Sequence, residues 1–211
     1  MKLRRIAITP YITQQERQLL QNVMPWHKDY WDSDVIIGGI NYKDDIALIK
    51  SKIRTALNAV TNSHCTYCGS LLKVTSDDHL DHFAPKYKYP EFTFELNNLF
   101  PACTKCNLST RKGKKLTIRK FNTKYAKCRF KIVHPHFDNP DKHFDYVINS
   151  DRKVIIKWKT KKGRKTITFF KLNEPNMTID RAKTYIYEAT ALASRYEALL
   201  DENSKNGYSK I

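Results

Sequence analysis

Residues 64–115 read HCTYCGSLLKVTSDDHLDHFAPKYKYPEFTFELNNLFPACTKCNLSTRKGKK, and they contain two Cys-x-x-Cys pairs, Cys65/Cys68 and Cys103/Cys106. Each pair forms a tight knuckle that aims two sulfurs at one point, and four thiolates meeting at a point suit a tetrahedral zinc ion. Four protein ligands leave no open coordination position. The spacing therefore predicts a structural zinc and not a catalytic one.

Between and just after the knuckles stand Asp81-His82-Phe-Ala-Pro, then Asn98-Leu99-Phe-Pro-Ala running into Cys103, then Asn107 directly after Cys106. In this combination the chain resembles the HNH nucleases, the ββα-metal group, in the subset whose finger is stapled by two CxxC pairs. The family pattern is an acidic residue plus His on the first strand, an Asn in the connecting loop, and an Asn or His opening the helix. Asp81, His82, Asn98 and Asn107 occupy those positions in that order. The lysine-glycine that usually follows Cys-Asn closely comes later here, at Lys112-Gly113.

The residue types suit the chemistry that the resemblance implies. Hydrolysis of a phosphodiester needs a cation on the phosphate, an activated water and a way to carry the leaving oxyanion. Asp81 offers a carboxylate oxygen and Asn107 an amide oxygen, both hard ligands suited to Mg²⁺ or Mn²⁺. His82, with an ordinary pKa near 6.5, can take the proton of the water. By its place in the family pattern, Asn98 holds the loop and orients His82. Lys105, Arg111, Lys112, Lys114 and Lys115 are expected to grip flanking phosphates. The implied products carry 3′-hydroxyl and 5′-phosphate ends. Asp78-His79 and Asn97 are the competing assignments, and the resemblance favours Asp81-His82, which precede Phe-Ala-Pro, and Asn98, which precedes Leu99.

Composition points to the same partner. Lys plus Arg number 38 against 21 Asp plus Glu, a net charge of +17 over 211 residues. A field of that sign concentrates polyanions, so nucleic acid is the expected partner, with DNA favoured and RNA an open alternative. Charge alone predicts association and not chemistry. No apolar run approaches a membrane span, and the basic start Met1-Lys-Leu-Arg-Arg is not followed by an apolar signal region, so a cytoplasmic location is expected. Cys128 is left over from the four zinc cysteines and reads as a small buried hydrophobe.

Outward from the centre, the sequence reads as α+β: a ββα-metal core with structural zinc, flanked by N-terminal helices and by a C-terminal small sheet plus a long helix. The expected units are residues 1–60, 61–125 and 126–211. Thr13-Gln-Gln-Glu16 is a capping box that opens a helix through Leu19, Leu20, Val23 and Met24, ended by Pro25. Residues 26–42 read as loop around a buried Val35-Ile36-Ile37. Ile46, Ile49, Ile53, Ala56 and Val60 form one helical face, and Lys50, Lys52 and Arg54 lie off it, as on a solvated surface. Strands are expected at 71–75 and 80–83 around a polar turn, then a helix over 104–112. Beyond lie a strand at 129–133, two strands at 144–149 and 154–158, a basic turn at 161–165, and a last helix from about 178 to 201. That helix has a seam of Ile179, Ala182, Ile186, Ala189, Ala193, Tyr196 and Leu200. His134, His136 and His143 near Asp138 and Asp141 invite a second metal site, but two prolines and Asx-rich turns favour an ordered loop.

The downstream run, His-Pro-x-Phe-Asp-Asn-Pro-x-x-His-Phe at 134–144 and then Leu-Asn before a helix, resembles the HNH subunits of Septu-type phage-defence pairs and of retron systems that carry the same pair. That resemblance implies a defence nuclease held by an ATPase of the ABC/SMC type. Other readings are a stand-alone restriction-type or homing-type HNH nuclease, and a zinc module that binds nucleic acid without cutting it. A module of that kind has no need for Asp81, His82 and Asn107 together.

Overall fold

Thr13 and Glu16 open the first helix. The Glu16 amide donates to the Thr13 hydroxyl at 3.1 Å and the Thr13 amide donates to the Glu16 carboxylate at 2.7 Å, a reciprocal capping box. The computed structural model describes residues 3, 5–7, 12–23, 30–72 and 77–205. Helix α1 (Gln14–Asn22) buries Leu20 and is followed by the buried Val23. The expected roles of Met24 and Pro25 lie outside the described residues.

The 26–42 tract is not all loop. Strands β1 (Ile36–Ile37) and β2 (Ile40–Asn41) pair as a hairpin around Gly38 and Gly39, whose φ values of +58° and +80° suit the tight turn between them. Val35 is fully buried, whereas Ile36 is 65% exposed. Helix α2 (Lys43–Thr61) buries Ile46, Ile49, Ile53 and Leu57. The seam passes through Leu57 and not through Ala56 and Val60, because successive steps of 3, 4 and 4 residues follow the 3.6-residue turn more closely than a strict 3-4 alternation does.

The central motif departs from the expected strand pairing. Strand β3 (Asp78–His82) is antiparallel to β4 (Leu99–Cys103), in register from Asp78↔Cys103 to His82↔Leu99. The strand expected at 71–75 is not its partner. Leu71 makes an isolated bridge to His64, and residues 73–76 lie outside the described residues. β4 is buried at all five positions, so it lacks the alternation that marks a half-exposed strand in sequence.

Helix α3 (Thr104–Asn107) is a single turn, shorter than the expected 104–112. The chain leaves the helix at Leu108 (ψ 152°) and folds back so that the Lys112 amide reaches the Cys106 carbonyl at 3.2 Å. Gly113 closes this fold with φ +44°, where a Cβ would stand 2.6 Å from Ser109 Cα. The delayed Lys-Gly of the sequence is therefore a looped insertion that still delivers Lys112 to the core.

In the C-terminal segment, β5 (Ile118–Lys120) pairs with β6 (Arg129–Phe130), a shorter strand than the expected 129–133. Strands β7 (Phe144–Ile148) and β8 (Val154–Trp158) pair as expected. The expected basic turn at 161–165 is instead the start of α4 (Lys161–Phe170), because the Thr160 side chain accepts from the Gly163 amide and caps it. Helix α5 spans Pro175–Lys205.

The anticipated seam of α5 is not the buried face of its first turns. Met177, Thr178, Arg181 and Thr184 are buried, while Ile186 is 63% exposed. Arg181 decides the orientation by donating to the carbonyls of Val154 and Leu172. The side chains of Ala193, Tyr196 and Leu200 lie outside the described residues. Among the described residues the larger of two apolar clusters joins Leu20, Ile53, Phe83, Phe100, Ile156 and Met177, so it draws on all three expected units, and a smaller one gathers Ala84, Phe92, Ile118, Tyr125 and Cys128. Among the described residues no helix is long and apolar enough to cross a membrane.

Candidate active site and metal centre

The β3–β4 hairpin carries Cys103 and Cys106 to the Cys65–Cys68 knuckle. That knuckle is closed by the Gly69 amide donating to the Cys65 carbonyl at 2.7 Å, and it is tied to β4 by Thr66 N to Pro101 O at 2.9 Å. The four sulfurs are buried and lie within 4.8 Å of one another. Cys68 and Cys103 sulfurs are 3.7 Å apart, far beyond a disulfide bond, and all five cysteines are free. Four convergent soft donors without a disulfide fit a tetrahedral zinc ion. Lys105 lies beside the cluster, its pKa raised by Asp180 first and then by Cys103 and Cys68, whereas burial lowers the pKa of Arg181 against the opposing pull of Cys68 and Cys106.

Asp81 stands on β3 beside this centre, 7% exposed. One carboxylate oxygen accepts from Lys112 Nζ at 2.9 Å and the other from the Tyr67 hydroxyl at 2.6 Å. Lys112 is itself 1% exposed. Burial raises the Asp81 pKa in spite of the opposing pull of Lys112. Asp81 also lines an open cleft of about 820 Å³, together with His82, Asn107 and Lys112. Asp81 and Asn107 thus present hard oxygen donors to one space, and that donor set fits a hard divalent cation such as Mg²⁺ or Mn²⁺.

His82 ends β3 with its ring edge-on to Trp31, centroids 4.5 Å apart. Its Nε2 is 3.0 Å from the Thr93 carbonyl. A carbonyl only accepts, so Nε2 carries the proton and Nδ1 keeps its lone pair. Burial first, and Lys112 second, push the His82 pKa down to about 3. The imidazole is therefore neutral at physiological pH. Asn98 is fully buried and clasps the loop between the strands: Oδ1 accepts from the Ala84 amide at 2.6 Å, and Nδ2 donates to the carbonyls of Phe92 at 2.9 Å and Ala84 at 3.1 Å. Of the competing residues, His79 lines the same cleft and contacts the Thr104 hydroxyl at 3.1 Å, and Asn97 donates to Glu95.

The basic residues divide. Lys112 and Lys114 line the cleft. Lys105 pairs with Asp180 at 2.8 Å, and Lys115 donates to the Thr110 carbonyl at 3.2 Å. Arg111 is buried, donating to the carbonyls of Phe170 and Lys171 at the end of α4 and to Glu174 at 2.6 Å, so it clamps the 108–113 loop to α4. The cleft recruits residues that the sequence does not mark, Trp31, Lys50 and Arg54 from the N-terminal segment and Lys86 from the loop, and also Tyr87, whose alternation with lysine in Tyr87-Lys88-Tyr89 reads equally as a groove lining and as loop packing. The 3–4 spacing of α2 identifies its buried face, and only the packing of α2 against β4 turns Lys50 and Arg54 toward Asp81 and His82. Among the described residues the four cysteines are the one group of three or more His, Cys, Asp or Glu side chains close enough to share a metal ion, and His134, His136 and His143 form no such group.

Residues 65–113 match the family model described as HNH endonuclease. The chain is 28% identical over 161 residues to a protein named Septu protein PtuB from Bacillus mycoides, covering 67% of this chain and 52% of that one. It is 31% identical over 129 residues to a Septu protein PtuB from Bacillus thuringiensis, covering 59% of this chain and 42% of the relative. A Septu protein PtuA from Bacillus mycoides is 27% identical over 147 residues, 59% of this chain but 19% of the relative. The chain thus spans about half the length or less of the curated relatives it matches. Asp81, His82, Asn98, Asn107 and all four cysteines fall inside the stretch that matches the HNH endonuclease model, and the chain is similar to proteins named Septu protein PtuB.

Proposed function

We propose that this chain is a metal-dependent HNH endonuclease that hydrolyses phosphodiester bonds in nucleic acid, DNA in preference to RNA, as the effector nuclease of an anti-phage defence pair. One observation carries the reading: Asp81, His82, Asn107 and Lys112 converge on one cleft whose other walls supply Lys50, Arg54, Lys86 and Lys114. His82 acts as general base through Nδ1, since Nε2 is committed to the Thr93 carbonyl and burial keeps the ring neutral. Asp81 and Asn107 would hold the divalent ion through oxygen, and the ion would supply positive charge to the reacting phosphate and the departing oxyanion, in keeping with 3′-hydroxyl and 5′-phosphate ends. The Lys112 ammonium balances the Asp81 carboxylate at one oxygen, and Tyr67 fixes the other, so the carboxylate is oriented before any ligand arrives. Asn98 keeps the loop that presents Thr93 to His82.

The defence role is supported by similarity to proteins named Septu PtuB and PtuA, and the resemblance of residues 129–190 to such nuclease subunits adds an ABC/SMC-type ATPase as partner. The test is incubation of the zinc-loaded protein with plasmid DNA and with total RNA, with and without Mg²⁺ or Mn²⁺. Metal-dependent nicking of DNA is expected. His82→Ala should lower the rate by about 10² to 10⁴-fold with zinc content and circular dichroism unchanged. Absence of cleavage of either nucleic acid by the wild-type protein with both ions would overturn the reading.

A further inference from the structure

Tyr125 and His134 lie outside the matched stretch, yet both are buried, 3% and 0% exposed. The His134 ring sits among Phe83, Phe130 and Phe137, with centroids 4.4 to 4.5 Å away. A phenylalanine would pack in such a cage with no polar atoms to satisfy. The imidazole instead uses both nitrogens. Nδ1 accepts from the amides of His136 at 3.1 Å and Phe137 at 3.3 Å, so the proton is on Nε2, 3.0 Å from the Tyr125 oxygen. The Tyr125 hydroxyl, accepting from His134, points its own proton at Asn98 Oδ1, 2.8 Å away.

Asn98 passes this order to both sides of His82. Its backbone carbonyl takes the Phe83 amide at 2.8 Å, its Oδ1 takes the Ala84 amide, and its Nδ2 holds the Phe92 carbonyl, one residue before the Thr93 carbonyl that receives His82 Nε2. Oδ1 serves two donors at once and Nδ2 two carbonyls, so the amide has one orientation that satisfies every neighbour. Removing the tyrosine hydroxyl leaves Oδ1 with the Ala84 amide as its one donor while Nδ2 keeps both carbonyls, so the amide keeps its direction but loses one of the two restraints on its oxygen in a buried site, where each unpaired polar atom is costly.

We propose that Tyr125 and His134 are positioning residues for His82, acting through Asn98, so that the segment after the HNH domain sets the geometry of its base. The consequence for rate rests on the nuclease reading given above, but the consequence for the His82 ring does not. The test uses the zinc-loaded chain and three variants. Tyr125→Phe keeps the ring and its packing but removes the hydroxyl. His134→Gln keeps a donor at the place of Nε2, whereas His134→Asn keeps an acceptor at the place of Nδ1 and loses the reach to Tyr125.

Tyr125→Phe and His134→Asn should lower kcat on plasmid DNA by about ten- to a hundredfold with KM nearly unchanged, and His134→Gln should stay near wild type. Nitrogen-15 spectra of the His82 ring, taken without substrate or divalent ion, should show the Nε2–H tautomer in all four proteins, with the Nε2 signal at the wild-type position in His134→Gln and shifted toward that of a weaker hydrogen bond to the Thr93 carbonyl in the other two. Unchanged His82 nitrogen signals in Tyr125→Phe, or a wild-type kcat in it, would overturn the proposal. If a His134 variant does not fold, Tyr125→Phe decides alone. If the wild-type chain cleaves nothing, the nuclease reading falls and the nitrogen spectra still decide the positioning role.

Discussion

At the scale of single residues, the site is defined by charges and rings removed from water. Asp81 and Lys112 form an ion pair at 2.9 Å with 7% and 1% of their side chains exposed. Breaking a buried pair leaves the other charge uncompensated, at about 3 to 5 kcal/mol. Lys112→Met should therefore destabilise the protein by about that amount, and Asp81→Asn added to it should recover most of the loss, as chemical denaturation of the two variants would measure. Equal stability of Lys112→Met and wild type would mean that the pair contributes nothing to the fold.

His134 makes a second residue-scale prediction. Burial holds its pKa well below the ordinary 6.5. The unfolded chain takes up a proton near pH 6.5 while the folded chain does not, so the stabilisation is fully present above that pH and is lost as pH falls toward the depressed folded value. The urea midpoint should drop between pH 7.5 and pH 5, and the drop should be smaller in His134→Gln. An equal pH slope in both proteins would count against a neutral buried imidazole.

At the scale of elements, the knuckle, the hairpin and one helical turn are too short to stand alone. α3 has four residues, and each of its neighbouring strands has five. A nucleus of that size gains little from backbone hydrogen bonds, so the sulfur cluster is what joins the pieces. Cys106→Ser should therefore lose zinc and fold together, seen as absent bound metal with collapsed near-ultraviolet dichroism. A folded, zinc-free Cys106→Ser protein would remove the structural zinc from the account. Arg111 works at the same scale by placing its guanidinium on the last carbonyls of α4, where the helix dipole favours a cation.

Across the whole molecule, the net +17 is not spread evenly in effect. Lys50, Arg54, Lys86 and Lys114 line the cleft, Arg54 while paired with Asp78 and Lys86 with Asp32, whereas Arg111 is buried against α4 and Lys162 pairs with Asp138 away from the cleft. Binding to duplex DNA should weaken with salt, with a slope of log K against log salt of roughly −3.6 for about four neutralised phosphates. Removing Lys50 or Lys114 should flatten the slope by about one unit, while removing Lys161 should leave it unchanged. A slope insensitive to Lys50 would take α2 out of the substrate path.

Local rules in the sequence sufficed wherever the chemistry depends on neighbours along the chain. The CxxC spacing foretold a convergent sulfur cluster, Thr13 and Glu16 the start of α1, and the alternation around 144–158 a hairpin, because each of these is settled within a few residues. The order Asp81, His82, Asn98, Asn107 carried the resemblance to HNH nucleases, and the stretch that contains them, residues 65–113, matches the HNH endonuclease model. What only the tertiary structure decided are the pairings between distant segments. β4 is buried at every position and so carries no period, the 108–113 loop needs Gly113 at positive φ to return Lys112 to Asp81, and Arg181 turns α5 onto a face that its apolar spacing does not predict. The same holds for Lys50 and Arg54 in the cleft and for Tyr125 and His134 behind Asn98. Periodicity records which face of an element leaves water, but not which distant carbonyl or carboxylate will be waiting there.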